Sequence, residues 1–367
     1  MKQSHERKIE IIVACAGGRK TSTLVEKALD SNKKILITTY TIENTENLQN
    51  YIISKVGYIP ENITILSWYS FLIQHCIRPY KNWVIDDPKI NITSISFENV
   101  PEEIRKKFSR EANPKRYYLR SRELIYRDRA IDFVCQANSK SNGLVIKRLS
   151  RIFDYILIDE AQDMYGYDFD FINSIINYAP NVDLTIVGDP RQKTYSTNLG
   201  QKRTDIMKWL KDINKNIPGV ITVKNECFRS NQLICDFADL LYPGLPKTES
   251  KNTEQVEHMG VFMIENCPTK IGNYVTTYSP KILRYNKNAN THGHSAMNIG
   301  ISKGRTFDRV LIFPTAPMVK YLQTMSINDA GGRPKFYVAI TRAKHSVTFV
   351  IDKKIISKIS NQYINLI

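Results

Sequence analysis

The sequence predicts an α/β fold built from parallel sheets. Short apolar runs alternate with helical stretches along the 367 residues, and several runs end at an acidic turn. Apolar residues make up 42% of the chain and charged residues 24%, which is typical of a globular protein and excludes a disordered chain, a collagen or a coiled-coil rod. At roughly 100–200 residues per domain, the length predicts two or three domains.

The first half of the chain contains five predicted strands. The run IEIIVA predicts a buried strand at 9–14, and the stretch 21–29 that follows it predicts a helix. The other four predicted strands are 34–40, 63–66, 155–158 and 184–187. Ligands of parallel sheets bind beyond the carboxyl ends of the strands, so the residues that follow these runs are the candidate site residues.

The second half repeats this pattern. Its predicted strands are 221–223, 282–284, 309–313 and 346–351, and 231–241 predicts a helix. The polar stretch 247–257 is predicted to be a loop.

The charge of the chain predicts a polyanionic partner. Lys and Arg number 52 and Asp and Glu 36, which gives a formal charge of +16. No run approaches the roughly 18–20 apolar residues of a membrane span, and the first ten residues are polar and charged, unlike a secretory signal. We therefore expect nucleic acid rather than a membrane as the partner. The six scattered cysteines favour reduced thiols and a cytoplasmic location.

Most of the positive charge lies in one segment. Between residues 105 and 151 there are fourteen Lys or Arg and four acidic residues, with five aromatic residues interleaved. Basic residues mixed with aromatic rings suit a phosphate backbone with stacked bases, and Arg116, Arg120 and Arg127 are candidate contacts. The alternative is a solvated helical face whose aromatic rings point into the core. We place this segment in an insertion, 83–151, within the first α/β domain.

A glycine-containing loop follows the first predicted strand. Residues 14–21 read ACAGGRKT, in which backbone N–H groups, a lysine and a hydroxyl could hold phosphates and Mg²⁺. Arg19 replaces the glycine that lets such a loop close tightly, and it either restricts the turn or adds positive charge near a nucleotide. The candidate nucleotide-binding residues are Ala16, Gly17, Gly18, Arg19, Lys20, Thr21, Ser22 and Asp159.

Two further motifs follow predicted strands. Asp159 and Glu160 come directly after the run 155–158, where one acid can hold Mg²⁺ and its neighbour can polarise a water molecule. The structural alternative is an acidic helix N-terminus favoured by the helix dipole. Gln192 follows the run 184–187 within VGDPRQ and could sense a γ-phosphate, whereas GDP by itself is a turn signal.

Taken together, the motifs resemble those of superfamily 1 helicases of the UvrD/Rep type. The segments occur in the order of that family: TTYT at 38–41, SWYSF at 67–71, DEAQD at 159–163, VGDPRQ at 187–192, NECFRS at 225–230, SKGRTFDRV at 302–310 and YVAITRAK at 337–344. The resemblance implies two RecA-like domains, an ATP-binding domain at 1–82 and 152–215 and a second domain at 216–367. Only 71 residues, 231–301, separate FRS from SKG, so we expect a minimal form without the large accessory domain of the second half.

The resemblance also implies residue roles. Lys20 would bind the β- and γ-phosphates, Thr21 and Asp159 would hold Mg²⁺, and Glu160 would be the catalytic base. Gln192 would sense the γ-phosphate, and Arg229 and Arg342 would act as arginine fingers. The residues expected to contact single-stranded nucleic acid are Thr39, Tyr40, Trp68, Tyr69, Tyr195 and Lys303, in addition to the three arginines of the insertion.

The activity that the resemblance implies is an ATP-driven motor on single-stranded or partly duplex DNA, moving 3′-to-5′, with ATP hydrolysed between the two domains. One alternative is a degenerate helicase that binds nucleic acid with little or no turnover, because Arg19 and Thr306 depart from the family pattern. A second alternative is a viral-type superfamily 1 RNA helicase. Trimmed helicases of this kind resemble those of bacteria, phages and other viruses, where a nuclease or another protein partner is a further expectation.

Overall fold

The computed structural model describes residues 7–194, 204–359 and 362–367. The described chain divides into two compact units. The first holds the described residues of 1–13, 20–190 and 195–222, and the second holds those of 14–19, 191–194 and 223–367. The division passes through two of the motifs, between Arg19 and Lys20 and between Pro190 and Arg191.

A six-stranded sheet lies at the centre of the first unit. The strands of this part of the chain are β1 (Ile9–Ala14), β2 (Ile35–Thr39), β3 (Ile63–Ser67), β4 (Ser94–Ser96), β5 (Leu124–Tyr126), β6 (Tyr155–Ile158), β7 (Asp183–Gly188) and β8 (Ile221–Lys224). The order across the sheet is β3-β2-β6-β7-β1-β8, and β2 pairs in parallel with β3 and β6, as β7 does with β1 and β6. Strands β2, β6 and β7 are buried throughout, as expected for a parallel sheet covered on both faces.

Nine α-helices accompany these strands in the described part of the first unit. They are α1 (Lys20–Leu29), α2 (Ile42–Val56), α3 (Trp68–Phe71), α4 (Glu102–Lys107), α5 (Pro114–Tyr118), α6 (Arg127–Lys140), α7 (Leu144–Ile152), α8 (Tyr167–Tyr178) and α9 (Ile206–Asn216). Helix α2 shows how the sequence sets the ends of such a helix. The Thr41 side chain accepts a hydrogen bond from the Asn44 N–H at 3.1 Å, and Gly57 ends the helix in the left-handed conformation with φ 85°.

The predicted insertion, 83–151, is mostly helical. It contains α4 to α7 and the short parallel pair β4–β5. Helix α7 buries Val145, Ile146 and Leu149 and exposes Lys147 and Arg148, which is the pattern of an amphipathic helix with a cationic face. Three of the five interleaved aromatic residues, Tyr118, Tyr126 and Phe133, lie in the core of the first unit or are otherwise buried. These three rings are buried in the protein, which agrees with the alternative that the aromatic rings of this segment point into the core.

The second unit contains its own six-stranded sheet. Its strands are β9 (Glu226–Cys227), β10 (Glu249–Ser250), β11 (Gly260–Glu265), β12 (Lys281–Arg284), β13 (Met297–Asn298), β14 (Phe307–Phe313), β15 (Ala343–Ile351) and β16 (Asn365–Leu366), and its helices are α10 (Gln232–Asp239), α11 (Pro268–Tyr278), α12 (Ala316–Thr324), α13 (Arg333–Ile340) and α14 (Lys353–Ile356). The sheet order is β13-β12-β14-β15-β11-β16, with parallel pairing throughout. A separate hydrophobic core contains Val310, Ile312, Val347 and Phe349 from the two central strands.

The two parallel sheets confirm the predicted α/β class with two sheet-centred units. Several elements differ from the sequence prediction, among them the following two. Strand β11 was not predicted, although it pairs with β15 along its whole length, and the predicted loop 247–257 contains the short strand β10. Within the part of the chain that the structure describes, no helix has the length and apolar composition needed to cross a membrane.

Candidate functional site

In the first unit, a hydroxyl and a carboxylate meet where β6 ends. Asp159 follows the last residue of β6 and is 3% exposed. Thr21, in the first turn of α1, donates a hydrogen bond from Oγ1 to Asp159 Oδ2 at 2.8 Å. The structure therefore brings together the two residues that the sequence predicted as magnesium ligands.

The surroundings of Asp159 disfavour the charged form of its carboxyl group. Burial, and next to it the charge of Glu160, raises the pKa of Asp159 to about 6, while the hydrogen bond from Thr21 and the charge of Lys20 act in the opposite direction. A buried carboxylate is stabilised by a nearby cation. Hydroxyl and carboxylate oxygens are also the hard ligands that Mg²⁺ prefers, so these residues fit that ion.

Glu160 and Gln162 connect the ends of β6 and β7. Glu160 adopts a left-handed conformation with φ 59°, and its N–H donates to Asp159 Oδ1 at 2.8 Å. Gln162 donates from its side-chain amide to the Glu160 carboxylate, and its Oε1 accepts from the Asp189 N–H at 3.0 Å. A Cβ atom at Gly188 would lie 3.0 Å from that same Oε1, so any larger residue there would push the Gln162 amide away by a few tenths of an ångström.

Gln162 is a site residue to which the sequence analysis gave no role. It lies within DEAQD and is fully buried. The signal that could have indicated it was an amide two residues after the acid pair, since a buried amide must find partners for its N–H and its oxygen.

In the second unit, the glycine loop packs closely against the segment around Arg229. Gly17 has φ 74°, and its carbonyl accepts a hydrogen bond from the Phe228 N–H at 3.0 Å. A Cβ atom at Gly17 would lie 2.8 Å from both Arg229 Cβ and Cys227 Sγ. Neither contact is sterically possible, so Gly17 is needed for this approach as well as for its positive φ.

Arg19 adopts the conformation that glycine favours. Its φ is 54°, in the left-handed region, and its Cζ lies 3.8 Å from the centroid of the Phe228 ring. A cation over an aromatic ring contributes about 0.5–1 kcal/mol when exposed, which offsets part of the backbone strain. The loop therefore keeps a glycine-like turn although Arg19 replaces the glycine.

The predicted arginines and Gln192 lie together in the second unit. Arg342 is 2% exposed, and its Nη2 donates to Gln192 Oε1 at 3.0 Å. Its other donors reach the carbonyls of Val338 and Arg305, both at 3.3 Å. Arg229 donates from Nη1 to the carbonyl of Thr341 at 2.9 Å, one residue before Arg342. These contacts hold three of the four predicted catalytic residues in one cluster.

The predicted stacking residues that the structure describes are all buried, with Tyr40 8% and Tyr69 7% exposed. The rings of Tyr40 and Tyr69 lie 5.8 Å apart, and Tyr69 meets the 63% exposed ring of Phe97 at 5.8 Å. Trp68 is 1% exposed and donates from its indole to Asp168 at 2.8 Å. Trp68 is therefore a core residue in this structure, whereas Phe97 is an exposed ring that the sequence analysis missed.

The other residues that were predicted to contact nucleic acid differ in their exposure. Arg116 is exposed, and Arg120 is exposed beside Glu98 at 2.8 Å. Arg127 is half-buried and pairs with Asp128. Thr39 and Lys303 are buried, which differs from the exposed position that contact with a strand requires. Tyr195 lies outside the described residues.

Comparison with known proteins identifies part of the chain. Residues 73–208 match the family model of the UvrD/REP helicase N-terminal domain. Over these residues the chain is similar to that domain. The UvrD-like resemblance that the motifs predicted is thereby confirmed, and the matched range contains Asp159, Glu160 and Gln192. The loop before Lys20 and the cluster around Arg342 lie outside that range.

A curated relative and two solved structures complete the comparison. The chain is 29% identical over 132 residues to a probable DNA helicase II homolog of Mycoplasma capricolum subsp. capricolum, a match that covers 36% of this chain and only 16% of the relative. It is similar to the Arterivirus nonstructural protein 10 helicase in complex with DNA, with a TM-score of 0.46, 13% identity, and coverage of 94% of this chain and 60% of the other. The PRRSV helicase gives a TM-score of 0.43 at 16% identity, with coverage of 94% and 52%.

Proposed function

We propose that this UvrD-like chain is an ATP-driven motor that acts on single-stranded or partly duplex DNA. The observation that carries the proposal is the pair of polar clusters: Thr21 with Asp159 in the first unit, and Gln192 with Arg342 in the second. Phosphoryl transfer requires such groups, because charge spreads over the γ-phosphate oxygens and must be stabilised by cations. Movement in the 3′-to-5′ direction is part of the proposal on the strength of the family resemblance.

The first unit would bind the phosphates. Lys20 is the first residue of α1, so its ammonium group and the positive end of the helix dipole favour an anion there. Thr21 and Asp159 would hold Mg²⁺, which neutralises phosphate charge when bound. Glu160 would accept the proton of the attacking water, and its hydrogen bond from Gln162 orients the carboxylate.

The second unit would supply positive charge to the transition state. Gln192 and Arg342 are hydrogen-bonded to each other, and Arg229 is held by the Thr341 carbonyl, so the guanidinium groups are positioned before ATP binds. Preorganised donors of this kind avoid reorganisation during the reaction. We propose that both sets of residues serve one hydrolysis reaction, because the chain joins them directly at Arg19–Lys20 and at Pro190–Arg191.

The nucleic-acid contacts proposed for the first unit are aromatic and basic. Tyr40 and Tyr69 are buried, and Tyr69 contacts the exposed ring of Phe97. A base would therefore stack on Phe97, which would contribute about 1–3 kcal/mol without regard to sequence. Arg116 and Arg120 would contact phosphates, an electrostatic contribution that weakens with added salt.

The experiment that tests the proposal measures ATP hydrolysis by the full chain without nucleic acid, with single-stranded DNA and with single-stranded RNA. We expect stimulation by DNA, and in Lys20→Ala a loss of about 100-fold or more because the phosphates lose their cation. The exposed Glu26→Gln on the same helix is the control. A pure preparation that binds strands and shows no stimulated hydrolysis would contradict the motor. Stimulation by RNA alone would assign it to the RNA-helicase alternative.

The structure also favours one specific alternative. Arg19 carries left-handed strain and is engaged with Phe228, which is compatible with a loop that binds nucleotide and turns it over slowly. Separate measurements of ATP binding and of hydrolysis distinguish this alternative, since it predicts binding without turnover. In that case Arg19→Gly would raise the rate of hydrolysis.

A further inference from the structure

The basic insertion of the first unit contains a cavity that no role above explains. Its volume is about 570 Å³, within the roughly 300–1,000 Å³ of small-molecule sites. Helix α4, the loop that follows it, α5 and the first turns of α6 line the cavity. The charged lining residues are the cations Arg105, Lys106, Lys107, Arg110 and Arg129 and the acids Glu111, Asp128 and Asp132, a net charge of +2.

The carboxylates of the cavity already have cationic partners. Arg110 pairs with Glu111 at 2.7 Å and with Asp132 at 2.8 Å. Asp128 pairs with Arg127 at 3.0 Å. Lys106 pairs with Glu102, which lies outside the lining, at 2.6 Å. The lining cations that these carboxylates do not neutralise are Arg105, Lys107 and Arg129.

Arg129 is the most buried of these cations. It is 8% exposed, donates to the Tyr117 carbonyl, and has its Cζ 3.7 Å from the centroid of the Tyr117 ring. Among the residues that the structure describes, no carboxylate lies within ion-pair distance of Arg129. Burial lowers the pKa of Arg129, and Arg105 adds a smaller effect in the same direction. A buried guanidinium without an anion is destabilising, so an anionic ligand would stabilise this arrangement.

We propose that this cavity binds a phosphate monoester of nucleotide size. A guanidinium presents its donors in a planar fork that matches phosphate oxygens, so Arg129 would contact the phosphate, with Arg105 at the rim. A phosphate monoester carries a charge of about −1.5 to −2 at neutral pH, which matches the net charge of the lining, whereas a phosphodiester carries one negative charge. Phe108, also in the lining, would provide an apolar surface for the base.

Two sources can supply this chemistry: the terminal phosphate of a nucleic-acid strand, or a free nucleotide. Both are recognised by the same groups. Binding in this cavity does not require ATP turnover. A result that contradicts the motor proposal therefore leaves the cavity proposal standing, and the reverse also holds.

The first experiment titrates thymidine monophosphate and thymidine into the full chain by calorimetry. Arg129→Gln should weaken binding of the monophosphate by about tenfold or more, and the exposed Arg105→Gln, which leaves no partner behind, should weaken it by a smaller factor. Lys140→Gln, at the end of the same helix α6 and outside the cavity, should bind as the unaltered chain does. Melting curves confirm that the variants are folded.

Lys20→Ala separates this cavity from the proposed ATP site. Binding that survives Lys20→Ala and is lost in Arg129→Gln supports the cavity. Binding that is lost in Lys20→Ala and unchanged in both Arg129→Gln and Arg105→Gln overturns it.

The second experiment distinguishes the sources with four-nucleotide strands that carry a 5′-phosphate, a 3′-phosphate or neither. Tighter binding of one phosphorylated strand, competed by thymidine monophosphate and weakened by Arg129→Gln, assigns the site to a strand end. Equal binding of all three strands, together with monophosphate binding that depends on Arg129, assigns it to a free nucleotide. Equal strand binding without any monophosphate binding overturns the proposal.

Discussion

The two units hold their polar clusters by different means. In the first unit, side chains bind one another at strand ends: Thr21 donates to Asp159, and Gln162 links Glu160 to the backbone of Asp189. In the second unit, backbone carbonyls hold the arginines, at Thr341 for Arg229 and at Val338 and Arg305 for Arg342. The acidic groups thus depend on neighbouring side chains and on the Glu160 N–H, whereas the basic groups depend on backbone carbonyls and, for Arg342, also on the Gln192 side chain.

This difference determines how each cluster responds to substitution. An amide or a hydroxyl can be replaced by a side chain of similar shape, so the first cluster can be weakened one hydrogen bond at a time. A buried arginine that satisfies several carbonyls cannot be removed without leaving acceptors unpaired. Substitutions should therefore separate catalysis from folding in the first unit and combine the two at Arg342.

The largest effect is expected for Arg342→Ala. Loss of an arginine finger lowers the rate of phosphoryl transfer by about 10³–10⁵-fold. Because Gln192 and two carbonyls lose their donor, the free energy of unfolding should also fall by about 1–3 kcal/mol. Steady-state hydrolysis and urea unfolding measure the two effects. With the exposed Lys358→Ala as control, a rate within tenfold of the unaltered chain would rule out a catalytic role for Arg342.

Glu160→Gln should come next. Removal of a general base costs about 10²–10⁴-fold in turnover, and the isosteric amide should leave nucleotide affinity and stability nearly unchanged. Single-turnover hydrolysis and equilibrium binding of ATP provide the comparison, with Glu26→Gln on α1 as the matched control. An equal loss of affinity and turnover would mean that Glu160 acts in binding instead.

A smaller effect, mainly on stability, is expected for Gln162→Met. Methionine approximates the shape of the side chain and removes the oxygen that accepts the hydrogen bond of the buried Asp189 N–H, which should cost about 1–3 kcal/mol. The half-buried Gln49→Met on α2 provides the control in urea unfolding. If the two variants were equally stable, the link between the ends of β6 and β7 would contribute nothing measurable.

The smallest expected effect is a difference in the free energy of unfolding between two variants of Arg19. Both variants lose the contact with Phe228, and only glycine removes the strain of the positive φ. Arg19→Gly should therefore be more stable than Arg19→Ala by about 1 kcal/mol, as measured by urea unfolding. An alanine variant as stable as the glycine variant would show that the turn is not strained.

Strands that consist of one apolar run were predictable from the sequence. The predicted strands 9–14 and 155–158 coincide with β1 and β6, because their β-branched residues are bounded by polar turns. Strand β11 was missed although its residues are mostly apolar. It begins at Gly260 with φ 117° after a polar stretch, and a short apolar run of this kind does not by itself distinguish a strand from a buried helix segment.

The sequence predicted which motif residues lie close together, but it did not predict which of them are buried. The contact between Thr21 and Asp159 follows from two strand ends of one sheet, so position in the sequence was sufficient. Trp68 lies within a motif whose rings were expected to face a strand, yet its indole binds Asp168, which is 100 residues away in the sequence. Side-chain burial of this kind depends on distant packing partners that spacing does not reveal.

The central claim is that groups from the second unit act in the same hydrolysis reaction as those from the first. Arg229 tests it most directly, because it is half-buried and its removal should disturb the fold less than loss of Arg342. We predict that Arg229→Ala lowers DNA-stimulated turnover by about 10³-fold or more while nucleotide affinity and melting temperature change little. Hydrolysis by Arg229→Ala at the rate of the unaltered chain would contradict the claim.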